Sequence, residues 1–236
     1  MKRVNVLLVA AEGRELRGIL RRCDNRRRLD WPLEFAWEGE LDGAHVWLAA
    51  GGHGQRLAGQ TAEIAFHYVR PDVVVSAGFC GALDPALLPG QVLVPAKVQL
   101  FGDGRCYDAV APSAAPAPAC GTLLSCDHVV ASVEEKSRLR SAGAAAVDME
   151  AAAVAAAARK VRAAFCCVKA VTDLAWEPLR IDFNAARDGQ GRILVSRVLA
   201  GAIRRPWAEV PELVWLHRRC RLAAERLGEF VGRCRF

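Results

Sequence analysis

The stretch AAVDMEAAAVAAAARKVRAAFCCVKAVTDLA, residues 145–175, decides how this chain is read. Its second half, AAFCCVKAV (163–171), is apolar along nearly its whole length instead of alternating, the pattern of a strand covered on both faces. Its first half is an alanine run that carries two carboxylates, Asp148 and Glu150, separated by a single residue. An ionised carboxylate buried without partners costs several kcal/mol or shifts its pKa until it is neutral. These acids therefore face solvent, or something polar waits for them.

Apolar runs of the same kind recur at 4–10 (VNVLLVA), 44–50 (AHVWLAA), 72–78 (DVVVSAG) and 91–99 (QVLVPAKVQ). Helical spacing fills the intervals. Residues 53–68 place Leu57, Thr61, Ile64, Ala65 and Tyr68 on one face, and Leu213, Leu216, Cys220, Ala223, Leu227 and Phe230 keep a 3-4 spacing near the end. A helix over 12–22 follows the first strand. Strands alternating with helices predict one α/β domain over 1–236, a three-layer α/β/α with a central mixed, mostly parallel twisted sheet. The Pro/Ala stretch APSAAPAPAC (111–120) reads as a surface loop, because strand signals resume after it.

Composition narrows the function. The chain has 236 residues, 53% hydrophobic and 25% charged, with 32 basic against 26 acidic residues and a formal charge of +6. The excess sits in RRCDNRRR (21–28) and HRRCR (217–221), which read as solvated faces, since no nucleic-acid motif accompanies them. Nine cysteines without a C-x-x-C pair argue against a disulfide framework and a zinc site, and Cys166 and Cys167 read as small buried hydrophobes. Five histidines show no paired spacing, so no metal site is expected. The opening MKRVNVLLVAAEGRE reads as a first strand, not a signal peptide, and no apolar stretch reaches the ~20 residues of a membrane span. A cytoplasmic protein is expected.

In open α/β sheets, ligands bind beyond the carboxyl ends of the strands. Four segments lie there, AAEGRE (10–15), GGHGQR (51–56), SAGFCGALD (76–84) and TDLAWE (172–177), with VDME (147–150) as a fifth. Gly52 and its neighbours in GGHG offer backbone N–H groups to an anion or a ribose oxygen, or make a tight strand-to-helix turn. The motif matches neither G-x-G-x-x-G nor the P-loop. Gly78 and Gly81 mark places where backbone approaches a ligand or a helix closely. Glu12 and Arg14 read equally as first-turn surface charges. Asp173 ends an apolar strand beside Thr172; it caps the next helix, or serves as a general acid with a pKa raised by its apolar setting.

At these residues the chain resembles a family. The 145–175 stretch is similar to the V-[DE]-M-E-x-x-A-x-A … [ST]-D-x-A block of the purine nucleoside phosphorylase and methylthioadenosine/adenosylhomocysteine nucleosidase superfamily. PDVVVSAGFCGALDPALLPGQVLVP (71–95) and AAGGHGQRLA (49–58) resemble its glycine blocks, in order, over most of residues 1–175. ALDPALLPGQ, EEKSRL, GAAAVDME and the tail from Arg204 to Leu227 most resemble the hopanoid-biosynthesis-associated phosphorylase subgroup.

The resemblance implies cleavage of the N-glycosidic bond of a purine nucleoside. Glu150 would accept hydrogen bonds from the ribose hydroxyls, with a helix dipole behind it, and Met149 would pack under the sugar. Asp173 would protonate the leaving base, and Asp148 would be structural or outward-facing. The nucleophile stays open between inorganic phosphate and water: Ser76 and Phe79 are no credible phosphate pair, Arg14 could bind phosphate, and Glu12 or Glu15 could activate water. A phenylalanine that nucleosidases stack on the base is absent: after SCD (125–127) this chain has His128, Val129 and Val130, with Val129 expected at the substrate. No metal or redox cofactor is implied. The subgroup implies an adenosine with a lipid-like 5′ substituent, received by an apolar surface to which VPELVWL (210–216) and Trp207 contribute, or which touches a membrane; an ordinary amphipathic helix is the alternative. It also implies a homo-oligomer and no nucleic-acid partner.

Overall fold

In the computed structural model, residues 3–113, 119–188, 192–204 and 206–236 are described. All five strands expected from apolar runs form: β1 (Asn5–Ala10), β4 (Ala44–Ala50), β5 (Val73–Ala82), β6 (Val92–Leu100) and β10 (Ala164–Asp173). Five others escape that pattern: β2 (Asp24–Arg28), β3 (Phe35–Leu41), β7 (Cys106–Asp108), β8 (Ala119–Ser125) and β9 (Ala144–Asp148). The basic cluster lies largely on β2, an edge strand exposed at every residue, where Arg27 pairs with Glu38. Of the Pro/Ala stretch, residues 114–118 lie outside the described residues, and Ala119 and Cys120 already belong to β8.

The strand order is β10-β6-β8-β9-β5-β1-β4-β3-β2, with β7 on β6 and a further β10–β5 pairing. β4, β1, β5 and β10 are parallel neighbours, whereas β6 runs antiparallel to β10 and the meander β2-β3-β4 is antiparallel, so the sheet is mixed. β5 decides the geometry. Its first half pairs with β1 as far as Ser76, and its end, at Gly81 and Ala82, pairs instead with β9. That exchange closes β5, β10, β6, β8 and β9 into a ring and leaves an opening beyond the end of β1.

Helices α2 (Gln55–Tyr68) and α4 (Ala151–Lys160) cover one face, and α1 (Gly13–Leu20) and α6 (Pro206–Val231) the other. The alanines of α4 allow the close approach to α2. The core face of α2 is Leu57, Ala58, Thr61, Ala62, Ala65 and Phe66. Ile64 and Tyr68 turn away from it, because the small Ala58 and Ala62 take the tight side; Tyr68 stacks on Trp31 instead. α1 and α6 meet backbone to backbone at Gly18 and Gly228, where an added Cβ would stand within 2.4 Å of the opposing chain. Of the 3-4 stripe of α6, Cys220, Ala223 and Leu227 are buried, whereas Leu213, Leu216 and Phe230 are only partly so and Val231 is buried in place of Phe230. Two short helices complete the chain, α3 (Val133–Ser141) beside β9 and α5 (Val195–Arg204) beside α6.

Candidate active site

A cavity of about 160 Å3 opens at the carboxyl ends of β1, β5, β8, β9 and β10. Glu12, Arg14, Phe79, Val129, Met149, Glu150 and Asp173 all line it, as do Glu15, His53 and Thr172. Segments that the sequence analysis selected one by one thus come together.

Asp148 and Glu150 answer the opening question differently. Asp148 is buried; its Oδ2 accepts from the Ala151 N–H (2.9 Å), Ser125 Oγ donates to its Oδ1 (2.6 Å), and Lys169 Nζ lies 2.8 Å away. Asp148 is therefore structural, and it takes the free N–H at the start of α4 that a cap residue normally serves. Glu150 occupies the N-cap position but makes no side-chain cap bond; its Oε1 accepts from the Gly54 N–H at 2.9 Å. The first N–H of α4 is thus met by the side chain of Asp148 and not by that of Glu150. Burial, then the nearby Asp148 carboxylate, push Glu150 up to about 8, against the pull of Lys169 and with a smaller push from Glu15. For Lys169, burial is the largest influence and works downward, but Asp148, Cys167 and Glu150 together outweigh it and hold the ammonium above the ordinary lysine range.

The glycine turns serve these carboxylates. Gly54 (φ +87°) gives its N–H to Glu150, so the anion at GGHG is the protein's own. Gly52 lies outside the cavity: its N–H donates to the Ala11 carbonyl, and a Cβ there would meet Leu57 at 2.5 Å. Gly78 (φ +148°) also lies outside the lining, and a Cβ there would stand 2.9 Å from Glu15 Oε1. A Cβ at Gly81 would stand 2.9 Å from Asp173 Oδ2. What approaches both β5 glycines is a carboxylate, that of Glu15 from helix α1 at Gly78 and that of Asp173 at Gly81.

The two glutamates after β1 separate cleanly. Glu12 sits at the rim, paired with Arg14 and 3.4 Å from His53. Glu15 is buried and accepts three backbone N–H groups, from Ala11 (2.8 Å) and Glu12 (2.9 Å) on Oε2 and from Phe79 (2.9 Å) on Oε1. Met149 is held through its carbonyl by Gln55 Nε2, and both backbone polar groups of Val129 are taken by Asn184. Ser76 is buried in the sheet and does not reach the cavity.

Asp173 is buried at the end of β10. Thr172 Oγ1 donates to its Oδ1 (3.0 Å), and Lys136 Nζ donates to its Oδ2 (2.6 Å). Sequence reasoning missed both buried lysines. Lys136 stands in the charged run EEKSRLR, and its one signal is its place three residues before Leu139, the other buried residue of α3. Lys169 is the single charge in the apolar run of β10.

Beside the cavity, and sharing Glu12, Arg14 and His53 with it, lies a second cleft of about 600 Å3. Phe183, Ile193, Val198, Leu213, Val214 and Leu216 line it. Eight cysteines are described and none of them is in a disulfide; burial pushes the thiol of Cys166 up to about 12. Among the described residues no group of His, Cys, Asp or Glu side chains could hold a metal ion, and no helix is long and apolar enough to cross a membrane.

The carboxylate-rich cavity lies at the strand ends, where α/β enzymes bind small molecules. The profile of the phosphorylase superfamily matches residues 7–124 and 109–204, and the chain belongs to that superfamily. It is 26% identical over 176 residues to a 5′-methylthioadenosine/S-adenosylhomocysteine nucleosidase of Staphylococcus aureus, covering 63% of this chain and 77% of that protein. Its fold matches that of the Neisseria meningitidis 5′-methylthioadenosine/S-adenosylhomocysteine nucleosidase in complex with methylthio-immucillin-A (TM-score 0.67, 21% identity, 95% and 99% of the two chains). It also matches a putative nucleosidase of the same type from Borrelia burgdorferi bound to adenine (TM-score 0.73, 15% identity, 97% and 98%).

Proposed function

We propose that this protein hydrolyses the N-glycosidic bond of an adenine nucleoside, with Asp173 at the base, Glu150 at the ribose diol and Glu15 at the attacking water. The observation that carries the reading is the meeting of Asp173, Glu150 and Glu15 in one cavity whose other walls include Phe79, Val129 and Met149. The relatedness to nucleosidases supports it.

An adenine anion leaves poorly, so a proton delivered to a ring nitrogen as the bond breaks lowers the barrier. Asp173 is the group at the cavity suited to deliver it. Positive charge then builds on the ribosyl ring, and the carboxylates of Glu150 and Glu15 stabilise it. A neutral Glu150 can donate to one ribose oxygen, and an ionised one accepts from both hydroxyls; binding the diol favours the ionised form. Glu15 replaces Glu12 in our assignment to the water, because Glu12 is engaged by Arg14 and His53 at the rim. Water is favoured over phosphate by charge. The lining carries Glu12, Glu15, Asp148, Glu150 and Asp173, while Arg14, its one arginine, is already paired to Glu12.

The apolar cleft that shares Glu12, Arg14 and His53 with the cavity suits a large apolar substituent at the 5′ carbon, of the kind an adenosylhopane carries. Its mouth adjoins the start of α6, where Trp207 is 92% exposed and Val210 and Val214 are half exposed, a surface suited to peripheral contact with lipid. The test is adenine release from adenosine, methylthioadenosine and adenosylhopane in detergent. The expected order of kcat/KM has the lipid-bearing nucleoside highest. Equal values for all three would remove the cleft from the substrate site, and no adenine from any of them would remove the proposed activity.

A further inference from the structure

We infer that Lys136 is the positioning residue for the proton that the departing base receives, and that it acts through Asp173. This rests on the reading of Asp173 as the group that protonates the base.

Lys136 is 0% exposed, and its ammonium spends its three N–H donors on three acceptors: Asp173 Oδ2 (2.6 Å), the Leu174 carbonyl (2.8 Å) and the Glu177 carbonyl (2.9 Å). A lysine has three donors and no acceptor, so this site is complete for the charged form. The site is also rigid. Glu177 Oε2 accepts from the Leu174 N–H, and Arg219 of α6 grips the same carboxylate with both terminal nitrogens at 3.0 Å. The loop 174–177 that presents the two carbonyls is thereby clamped between β10 and α6.

The consequence concerns when Asp173 carries a proton. In the open cavity Oδ2 of Asp173 accepts from the Lys136 ammonium at 2.6 Å, so that oxygen has no proton of its own to give the base. A bound nucleoside displaces water from the exposed side of the pair. In a drier setting two charges are more costly relative to two neutral groups, and moving one proton from Nζ to Oδ2 neutralises both. Asp173 then passes that proton to the ring nitrogen as the C1′–N bond breaks and its electron pair goes to the base. The base leaves neutral, Asp173 is again a carboxylate, and Lys136 is a neutral amine. Water adds to C1′ and gives its proton to Glu15, Glu15 releases it to solvent, and solvent returns one proton to Lys136. The proton given up equals the proton taken, and no further reactant is needed.

Two ribosides separate this role from a structural one. Adenosine needs its leaving group protonated, whereas 4-nitrophenyl riboside leaves as a stable phenolate and does not. Lys136→Met is expected to lower kcat for adenosine by about 100-fold or more with little change in KM, to leave 4-nitrophenyl riboside within a few-fold, and to be partly rescued by Lys136→Arg. Because Lys136→Met could unfold the chain by stranding Asp173, the cycle includes Asp173→Asn and the double variant. Lys136→Met is expected to cost nothing further on adenosine once Asp173 is Asn. Equal losses on both ribosides in folded protein, no loss on either, or a full additional loss in the Asp173→Asn background would overturn the inference. Wild-type protein that cleaves 4-nitrophenyl riboside but releases no adenine would instead overturn the proposed substrate.

Discussion

Two buried lysine–aspartate pairs back this cavity, Lys136–Asp173 at 2.6 Å and Lys169–Asp148 at 2.8 Å. All four groups are buried, and both lysines are essentially inaccessible. The difference lies in what else the carboxylate holds. Asp148 also takes Ser125 Oγ and the Ala151 N–H, and its side chain has no exposed surface. Asp173 takes only the Thr172 hydroxyl besides its lysine, and 9% of its side chain remains open. One pair is saturated and holds β9, β10 and α4 together beneath Glu150. The other keeps unused acceptor capacity at the cavity wall. A buried ion pair is thus no sign of function by itself; the unfilled lone pairs are.

The sharpest way to break the comparison is Lys169→Met. It strands Asp148 beside Glu150 and is expected to cost about 3–5 kcal/mol of stability by denaturant titration, partly restored by adding Asp148→Asn. A loss as small as that of an exposed lysine would show that the two pairs do not differ as described. Next, Asp173→Asn is expected to reduce kcat for adenine release about 100- to 10,000-fold while changing stability much less than Lys169→Met does.

Glu150 sharpens the same contrast through pH. Its pKa is raised in the folded chain to about 8, so between the ordinary carboxylate range and that value the folded state holds a proton the unfolded state has lost. Stability should therefore be greatest below the unfolded pKa and fall as pH rises through this window, with a slope of at most about 1.4 kcal/mol per pH unit from this group. Glu150→Gln should flatten that part of the profile, measured by denaturant midpoints from pH 5 to 8.5; an unchanged slope would contradict the burial argument. The smallest expected effect is that of Thr172→Val, which removes one hydrogen bond to Asp173 and should cost about 1 kcal/mol in stability or in the activation barrier.

Much of this was legible from the chain. Strands β1, β4, β5, β6 and β10 announce themselves as mainly apolar runs, although β6 is exposed at Ala96 and Lys97. β2 reads as DNRRR, an exposed edge, and β9 as AAAVD, which alanine composition does not distinguish from the helix after it. The site segments were legible because glycine and acid cluster just after strands. Their roles were less so. The backbone geometry of Gly78 could be anticipated, but not that Glu15, more than sixty residues away, is what needs the space. Lys136 is the extreme case: flanked by glutamates and arginines, it looks like solvated charge, and only the fold carries it to Asp173.

The most direct measurement is to incubate the purified protein with adenosine, with and without inorganic phosphate, and to identify both products by chromatography. The account predicts adenine and free ribose at a rate independent of phosphate, and loss of both products in Asp173→Asn. Ribose 1-phosphate formed only when phosphate is present would contradict it and would make Arg14 an anion site.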